Sequence, residues 1–510
     1  MQPKPSPELP KSSSPLWLDR LSLPQFPKLQ SDIVVDIAIV GAGITGITAA
    51  WLLARDGRRV ALLEADRVLQ GTTAHTTAKV TVQHDLIYDE LLAHVGRTNA
   101  RLYYEANDEA LGFIRDRVSS LEIPCDLTEE EAVLYATTEA GEQKLLREYE
   151  AYQSLHMPAA LRSDIPFSID VRKSLAMPGQ AQFHPLVYLS TLLQEAVAHG
   201  AKVYEQSPAS DIHYGEYPEV VTCDGPTITA EKILICSHFP FYDGLGLYYA
   251  RMQAQRSYIV AAKLGIEWPG GMYISVDGPS RSLRSVVHAG ETYALVGGEG
   301  HITGQESDTE KHYQALTDFA ASHLRTEHIA YRWSTQDLVT VDRLPYIGEI
   351  SAVQPHVLVA TGYKKWGMTT GTAAALILRD LAVGVKNRYT ALFAPTRFHA
   401  DPSLRSFLAQ TVNVGSWLVT GKLDKPSREA KDVLPGEGAT VQYGGQRAGA
   451  WRELDGTLTV LDTTCTHLGC EVMWNAAEHT WDCPCHGSRF AVTGEVIEGP
   501  ATKPLVRLHG

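Results

Sequence analysis

The sequence predicts an α/β unit of Rossmann-like form carrying an antiparallel-sheet subdomain, followed by a small all-β unit. Three observations predict it. An apolar run, a glycine-rich turn and a helical pattern follow one another over residues 33–55. Strand-like alternation occupies about 250–300, as in Ser257–Lys263 and Tyr293–Gly297. After about residue 405 helical patterning fades, glycine and proline rise, and short strands recur between turn signals.

Taken in order, residues 1–30 read as an extended, proline-rich arm. Its Trp17, Leu18 and Phe26 are apolar enough to lie on the body. Ile33–Val40 suits a strand buried on both faces, Ile44–Arg55 a helix with Gly57 at its C-terminal cap, and Arg59–Glu64 a second buried strand. From about 97 to 155 the pattern is helical, and Pro185–His199 is a further amphipathic helix. Ile233–Ser237 is a short buried strand, His312–His323 a helix, and Val357–Thr361 a last buried strand leading to a helix near Thr370–Ala382. Residues 31–405 are therefore expected to form one large body including its antiparallel-sheet subdomain. Residues 406–431 are expected to be a linker and 432–510 a separate small domain, with strands near Ala439–Tyr443, Gln446–Arg452 and Thr457–Asp462.

Composition narrows the function classes. The 510 residues are 44% hydrophobic and 20% charged, which excludes disordered, collagenous and coiled-coil proteins. A net charge of -14 without a long basic run argues against a nucleic-acid partner. The N-terminus lacks the basic start and apolar core of a signal peptide, and no apolar run reaches the roughly 18 residues of a membrane span. A soluble, cytoplasmic protein is expected. Of the 7 cysteines, Cys125, Cys223 and Cys236 are scattered, whereas Cys465, Cys470, Cys483 and Cys485 are clustered, the spacing of a metal-binding module.

Gly41-Ala-Gly43-Ile44-Thr45-Gly46 lies between a strand and a helix. Gly41 permits the tight turn, Gly43 lets the backbone approach a pyrophosphate, and Gly46 lets helix and strand close up. The pyrophosphate then meets the positive helix end. Glu64, at the end of the second strand, can accept the ribose hydroxyls. No second strand–GxGxxG–helix unit occurs, so one dinucleotide is expected.

This cradle, Gly71-Thr72-Thr73-Ala-His75-Thr-Thr-Ala and Ala360-Thr-Gly362-Tyr-Lys-Lys-Trp-Gly367-Met368-Thr369-Thr-Gly371 together resemble the D-amino-acid-oxidase and glycine-oxidase superfamily over about residues 33–390. The resemblance implies FAD, an α/β FAD-binding domain with an antiparallel-sheet substrate domain, and hydride removal from a carbon beside an amine nitrogen. It also implies that the late glycine turn opens a helix toward the flavin pyrimidine. Sarcosine-oxidase relatives carry a carboxylate-binding Lys where Thr369 stands. His75 falls where dimethylglycine-dehydrogenase relatives attach FAD covalently; a hydrogen-bonding residue of the flavin loop is the other reading. Candidate catalytic or substrate contacts are Arg256, Tyr258, His301 and Lys365, with Lys364 beside the last.

Cys465-Thr-His467-Leu-Gly-Cys470 is followed, after twelve residues, by Cys483-Pro-Cys485-His486-Gly-Ser488. Two Cys and two His also suit tetrahedral zinc, so the ligand set alone leaves the metal open. With one extra Cys in each loop, residues 432–510 resemble a Rieske [2Fe–2S] domain of the cytochrome-bc type. The resemblance implies Cys465 and Cys483 on one iron, His467 and His486 on the other, and a Cys470–Cys485 disulfide. It places Ser488 where a hydroxyl bonds a bridging sulfide, and Phe490 where bc-type proteins have tyrosine. A potential below that of respiratory Rieske proteins is therefore expected.

The expected function is an amine or amino-acid dehydrogenase. It takes a small-molecule substrate and passes electrons from FAD through the Rieske centre to a protein or quinone acceptor. Two alternatives stand beside it: an electron-transfer component serving a separate enzyme, and an ordinary FAD oxidase with a structural or redox-sensing cluster.

Overall fold

A computed structural model describes residues 8–10, 12–397 and 400–509; residues 1–7 and 11 of the N-terminal arm lie outside the described residues. Ile33–Val40, apolar at nearly every position, forms the central strand of a sheet buried on both faces. Parallel neighbours Thr227–Ile235 and Val60–Leu63 flank it, and Val357–Thr361 and Lys202–Tyr204 extend the parallel core on either side. Tyr346–Glu349 adds an antiparallel edge. Helices Ile44–Arg55, Pro185–Ala198 and Gly367–Ala382 share one apolar core on one face of this sheet. The expected strand and helix bounds around the glycine turn are met: the helix is Ile44–Arg55, and Gly57 leaves it at φ +81°.

The second sheet runs Thr326–Thr340, Met252–Leu264, Glu291–Ile302, Arg281–His288, Met272–Ser275, Thr128–Ala136, Lys173–Gln182 and Lys79–Val80. Its neighbours pair antiparallel, except that Met272–Ser275 and Thr128–Ala136 run parallel. Residues beyond 436 make two four-stranded sheets, one of them carrying the Cys483 loop. Within the described part of the arm, Trp17 lies on the body as expected. Leu16 and Trp17 are fully buried, and Trp17 Nε1 donates to the Thr76 carbonyl at 2.7 Å. No helix among the described residues is long and apolar enough to cross a membrane.

Two expectations need correction. The stretch 97–155 is not continuously helical: helices Ile87–Ser120 and Glu139–Ser154 are separated by strand Thr128–Ala136. Its glutamates favour helix, but Ala132–Ala136 are buried between two strand partners, and that pairing overrides propensity. The expected linker 406–431 begins with most of a long helix, Ala400–Leu423. Its Gly415 and its β-branched Thr411, Val412, Val414 and Val419 lower intrinsic helicity, which hid it from pattern reading. Contacts with both units hold it in place.

Candidate functional site

Gly41 turns the chain at φ +106°, and a Cβ there would sit 2.5 Å from the Cys236 carbonyl oxygen. At Gly46 a Cβ would collide with the Gly41 carbonyl oxygen. Neither glycine of this turn has room for a side chain, and the first N–H groups of the helix that follows have no partner within the helix itself. The Glu64 carboxylate accepts the Ala42 N–H at 2.8 Å and the Asp66 N–H at 3.2 Å. Burial raises its pKa against those two bonds. Thr73 Oγ1 accepts the Ile44 N–H at 3.2 Å, so the Thr72–His75 turn closes over the same helix end.

The late glycine turn arrives at that place from more than 300 residues away. Thr45 Oγ1 lies 2.9 Å from the Tyr363 hydroxyl and donates to the Gly371 carbonyl at 3.1 Å. A Cβ on Gly371 would come within 3.0 Å of Thr45 Oγ1. Gly362 turns at φ +79°, and Gly367 begins the helix whose first turn holds Met368 and Thr369. Two helix N-termini therefore converge, and their combined positive ends favour an anionic group between them.

Thr369 does not point to a free anchor. Its hydroxyl donates to the Thr81 carbonyl at 3.0 Å and lies 3.1 Å from His84 Nε2. Burial pushes the pKa of His84 down to about 3, and its ring stacks on Trp366 at 4.7 Å. His75 Nδ1 is 2.9 Å from the Gly71 carbonyl, and its own carbonyl accepts from Trp333 Nε1 at 3.0 Å. Burial is the main cause of its lowered pKa.

Side chains alternate along Met252–Leu264, and this divides the candidate substrate contacts. Ser257 bonds Lys365 Nζ, and buried Asp337 lies 3.4 Å from Ser257 Oγ and 3.8 Å from Lys365 Nζ. Burial raises the Asp337 carboxyl. This trio lies at the glycine turn. Arg256 and Tyr258 point through the opposite face, and His301 joins them, with Nε2 3.1 Å from the Tyr258 hydroxyl. That face carries the C-terminal domain: Arg256 lies 3.8 Å from Glu478 and 4.0 Å from Glu498. Strand parity therefore places Arg256, Tyr258 and His301 together on the face opposite Lys365. Lys364, at φ +54°, has its pKa lowered by burial.

The cysteine loops have matching geometry. In each, a glycine near φ +80° turns the chain and donates to the carbonyl of the loop's first cysteine: Gly469 to Cys465 and Gly487 to Cys483, both at 3.0 Å. Cys470 and Cys485 form a disulfide across the loops. The Cys465 thiol is pulled down to about 7, first by a hydrogen bond from Cys483, then by the N–H groups of His467 and Leu468 and the Ser488 hydroxyl. Cys483 is pushed up by that same bond to Cys465 and by burial. The rings of His467 and His486 stand 5.1 Å apart, and buried His467 Nδ1 has no hydrogen-bond partner. Two facing thiols with thiolate-stabilising donors and an unpartnered imidazole nitrogen fit a [2Fe–2S] cluster with two-His ligation on one iron. Phe490 is fully buried.

Sequence reading missed what holds these loops. Gln336 Nε2 donates to the Gly487 carbonyl at 2.9 Å, and a Cβ on Gly487 would collide with that of Ala254. Gln305 Nε2 donates to the Pro484 carbonyl at 2.9 Å. Tyr249 packs edge-on against both His467 and His486, 5.5 Å from each ring. No local motif encodes such contacts, since each partner lies in a different domain.

Comparison with known proteins agrees with this geometry. A family model described as FAD dependent oxidoreductase matches residues 36–381, and a Rieske [2Fe-2S] domain model matches residues 425–509. A Bacillus subtilis (strain 168) protein, YhfW, named as a Rieske 2Fe-2S iron-sulfur protein, is 50% identical over 96% of this chain and 97% of its own. Among solved structures, glycine oxidase from Geobacillus kaustophilus aligns with TM-score 0.60 at 20% identity, over 72% of this chain and 99% of that one. L-proline dehydrogenase from P. horikoshii aligns with TM-score 0.59 at 17% identity, over 73% of this chain and 98% of that one.

Proposed function

Because the chain belongs to the family of FAD-dependent oxidoreductases described by the DAO model and ends in a Rieske [2Fe-2S] domain, we propose that it is a dehydrogenase of amines, N-methylated amines or amino acids, delivering electrons to an external acceptor by way of its cluster. Bound FAD supplies hydride acceptance from the carbon beside nitrogen, and a bound cluster supplies one-electron transfer. Gly41, Gly43 and Gly46 make room for the dinucleotide, Glu64 faces its ribose, and the first turn of Gly367–Ala382 offers backbone N–H groups to the flavin end. Lys365, held by Ser257 and Asp337, is the residue proposed to meet the substrate.

The observation that carries this reading is the docking of the Cys483–Ser488 loop. Gly487 rests on Ala254 and is bonded by Gln336, while Ser257 and Asp337, of opposite parity on the same two strands, face Lys365 on the other side. One sheet thus separates the proposed oxidation site from the cluster loops by its own thickness, which suits electron transfer within the chain. A cluster serving only structure would need no such placement.

Anaerobic addition of glycine, sarcosine, proline and other secondary amines to the holoprotein tests the reading. Flavin bleaching followed by cluster reduction is the expected result. Bleaching without cluster reduction, or silence of both signals across the substrate class, would overturn it.

A further inference from the structure

The loop that leads into strand Met252–Leu264 is strained. Leu245 and Leu247 stand at φ +67° and +51°, in the left-handed region that favours glycine, and a Cβ on Gly246 between them would collide with the Tyr248 ring. Such strain persists only where the surrounding structure enforces it, and it gathers at functional sites.

What this loop positions is the single helical turn Tyr248–Arg251. The turn is anchored on every side. The Asp243 carboxylate accepts the N–H groups of Leu247 and Tyr248 at 2.9 and 2.8 Å. The Tyr248 hydroxyl donates to the Ile350 carbonyl at 3.1 Å, and Arg251 donates to the Pro395 carbonyl at 2.8 Å. Helix Ala400–Leu423 packs against the turn, and Met252 Sδ, just beyond it, lies 3.5 Å from Thr361 Oγ1 at the late glycine turn.

These anchors hold Tyr249 against the cysteine loops of the other unit. Its ring stands 5.5 Å from His467 and from His486, at 73° and 89° to them. The two histidine rings are themselves 5.1 Å apart at 89°. Three rings therefore close an edge-to-face triangle, the arrangement aromatic groups prefer. We propose that Tyr249 is a positioning residue of the iron–sulfur centre, supplied by the FAD-binding unit: its ring fixes the planes of both histidine ligands, keeps water from them, and holds the cluster potential down.

The direction follows from charge. Two ferric irons, two sulfides, two thiolates and two neutral imidazoles carry no net charge, so one added electron leaves an anion. Water stabilises that anion and an aromatic ring does not, so opening the histidines to water raises the potential. The potential is then a property of the docked chain rather than of residues 432–510 alone.

A mediated redox titration of holoprotein, with electron paramagnetic resonance of the reduced state, tests this. It uses no amine, so it can fail separately from the dehydrogenase reading. At the wild-type midpoint, Y249A is expected to show a reduced-to-oxidised ratio about tenfold higher, an upward shift of about 59 mV for one electron, together with an altered resonance signal. Y249F keeps the ring and is expected to match wild type in both readouts. Y249L is expected to shift in the same direction as Y249A, by less. Cluster-loaded Y249A with the wild-type potential and signal, or with a lowered potential, would overturn the proposal. So would Y249F shifting as far as Y249A. If Y249A purifies without iron, Y249L decides the matter, and a wild-type potential in loaded Y249L would overturn the proposal.

Discussion

At Gly46 a methyl group has nowhere to go, since a Cβ would strike the Gly41 carbonyl oxygen. G46A is therefore expected to fold around a widened turn and bind FAD at least about tenfold more weakly, read by flavin absorbance after gel filtration. His184 carries a pH-dependent contribution. Its Nδ1 accepts the Val187 N–H at 3.4 Å at the start of helix Pro185–Ala198, and its ring meets Trp17 edge-on. Burial, its largest cause, depresses its pKa from 6.5 to about 4. The unfolded chain then binds a proton before the folded one does, so stability falls as pH drops from about 6.5 to 4, by at most about 3 kcal/mol. H184N keeps a capping acceptor without the titration, and thermal melts across that range should show a flatter pH dependence than wild type.

The two cysteine loops, as elements, depend on the bond between them. In C470S or C485S the loops lose their cross-link, with a stability loss of about 3 kcal/mol and a lowered iron content measurable in the purified protein. These loops were also the most readable part of the chain. Their candidate ligands, turning glycines and disulfide cysteines all fall within a few positions of one another in each loop, so a resemblance to a known domain could be matched locally. The glycine cradle was readable for the same reason, strand, turn and helix being consecutive. Helix Ala400–Leu423 was not, because its β-branched and glycine residues carry no helical signature and its stability comes from Asn413 and Lys422 reaching other elements. Strand Thr128–Ala136 was hidden similarly: its partners Lys173–Gln182 and Met272–Ser275 lie far along the chain.

Across the whole molecule the interface between the two units is charged and buried. Arg256 is 1% exposed between Glu478 and Glu498, and Arg489 lies 3.2 Å from Asp482 and 3.5 Å from Glu498. Removing one cation from such a cluster leaves uncompensated carboxylates, a cost of about 3–5 kcal/mol. R256M should lower the melting temperature and increase hydrogen exchange in the Cys483–Ser488 loop, while substrate still bleaches the flavin. An active-site role for Arg256 would instead abolish the bleaching. Parity along Met252–Leu264 could be read from sequence, but which face meets a second domain could not, so the sequence alone could not separate Arg256, Tyr258 and His301 from Lys365. The arm joins the same assembly. Trp17 is sealed under Thr76, and Ser13, a few residues earlier, bonds Glu478 of the C-terminal domain across a separation of 465 residues. During synthesis, then, the bond from Ser13 to Glu478 must wait for the 465 residues that separate them, so this contact between arm and C-terminal domain forms long after Trp17 and Thr76 have both emerged.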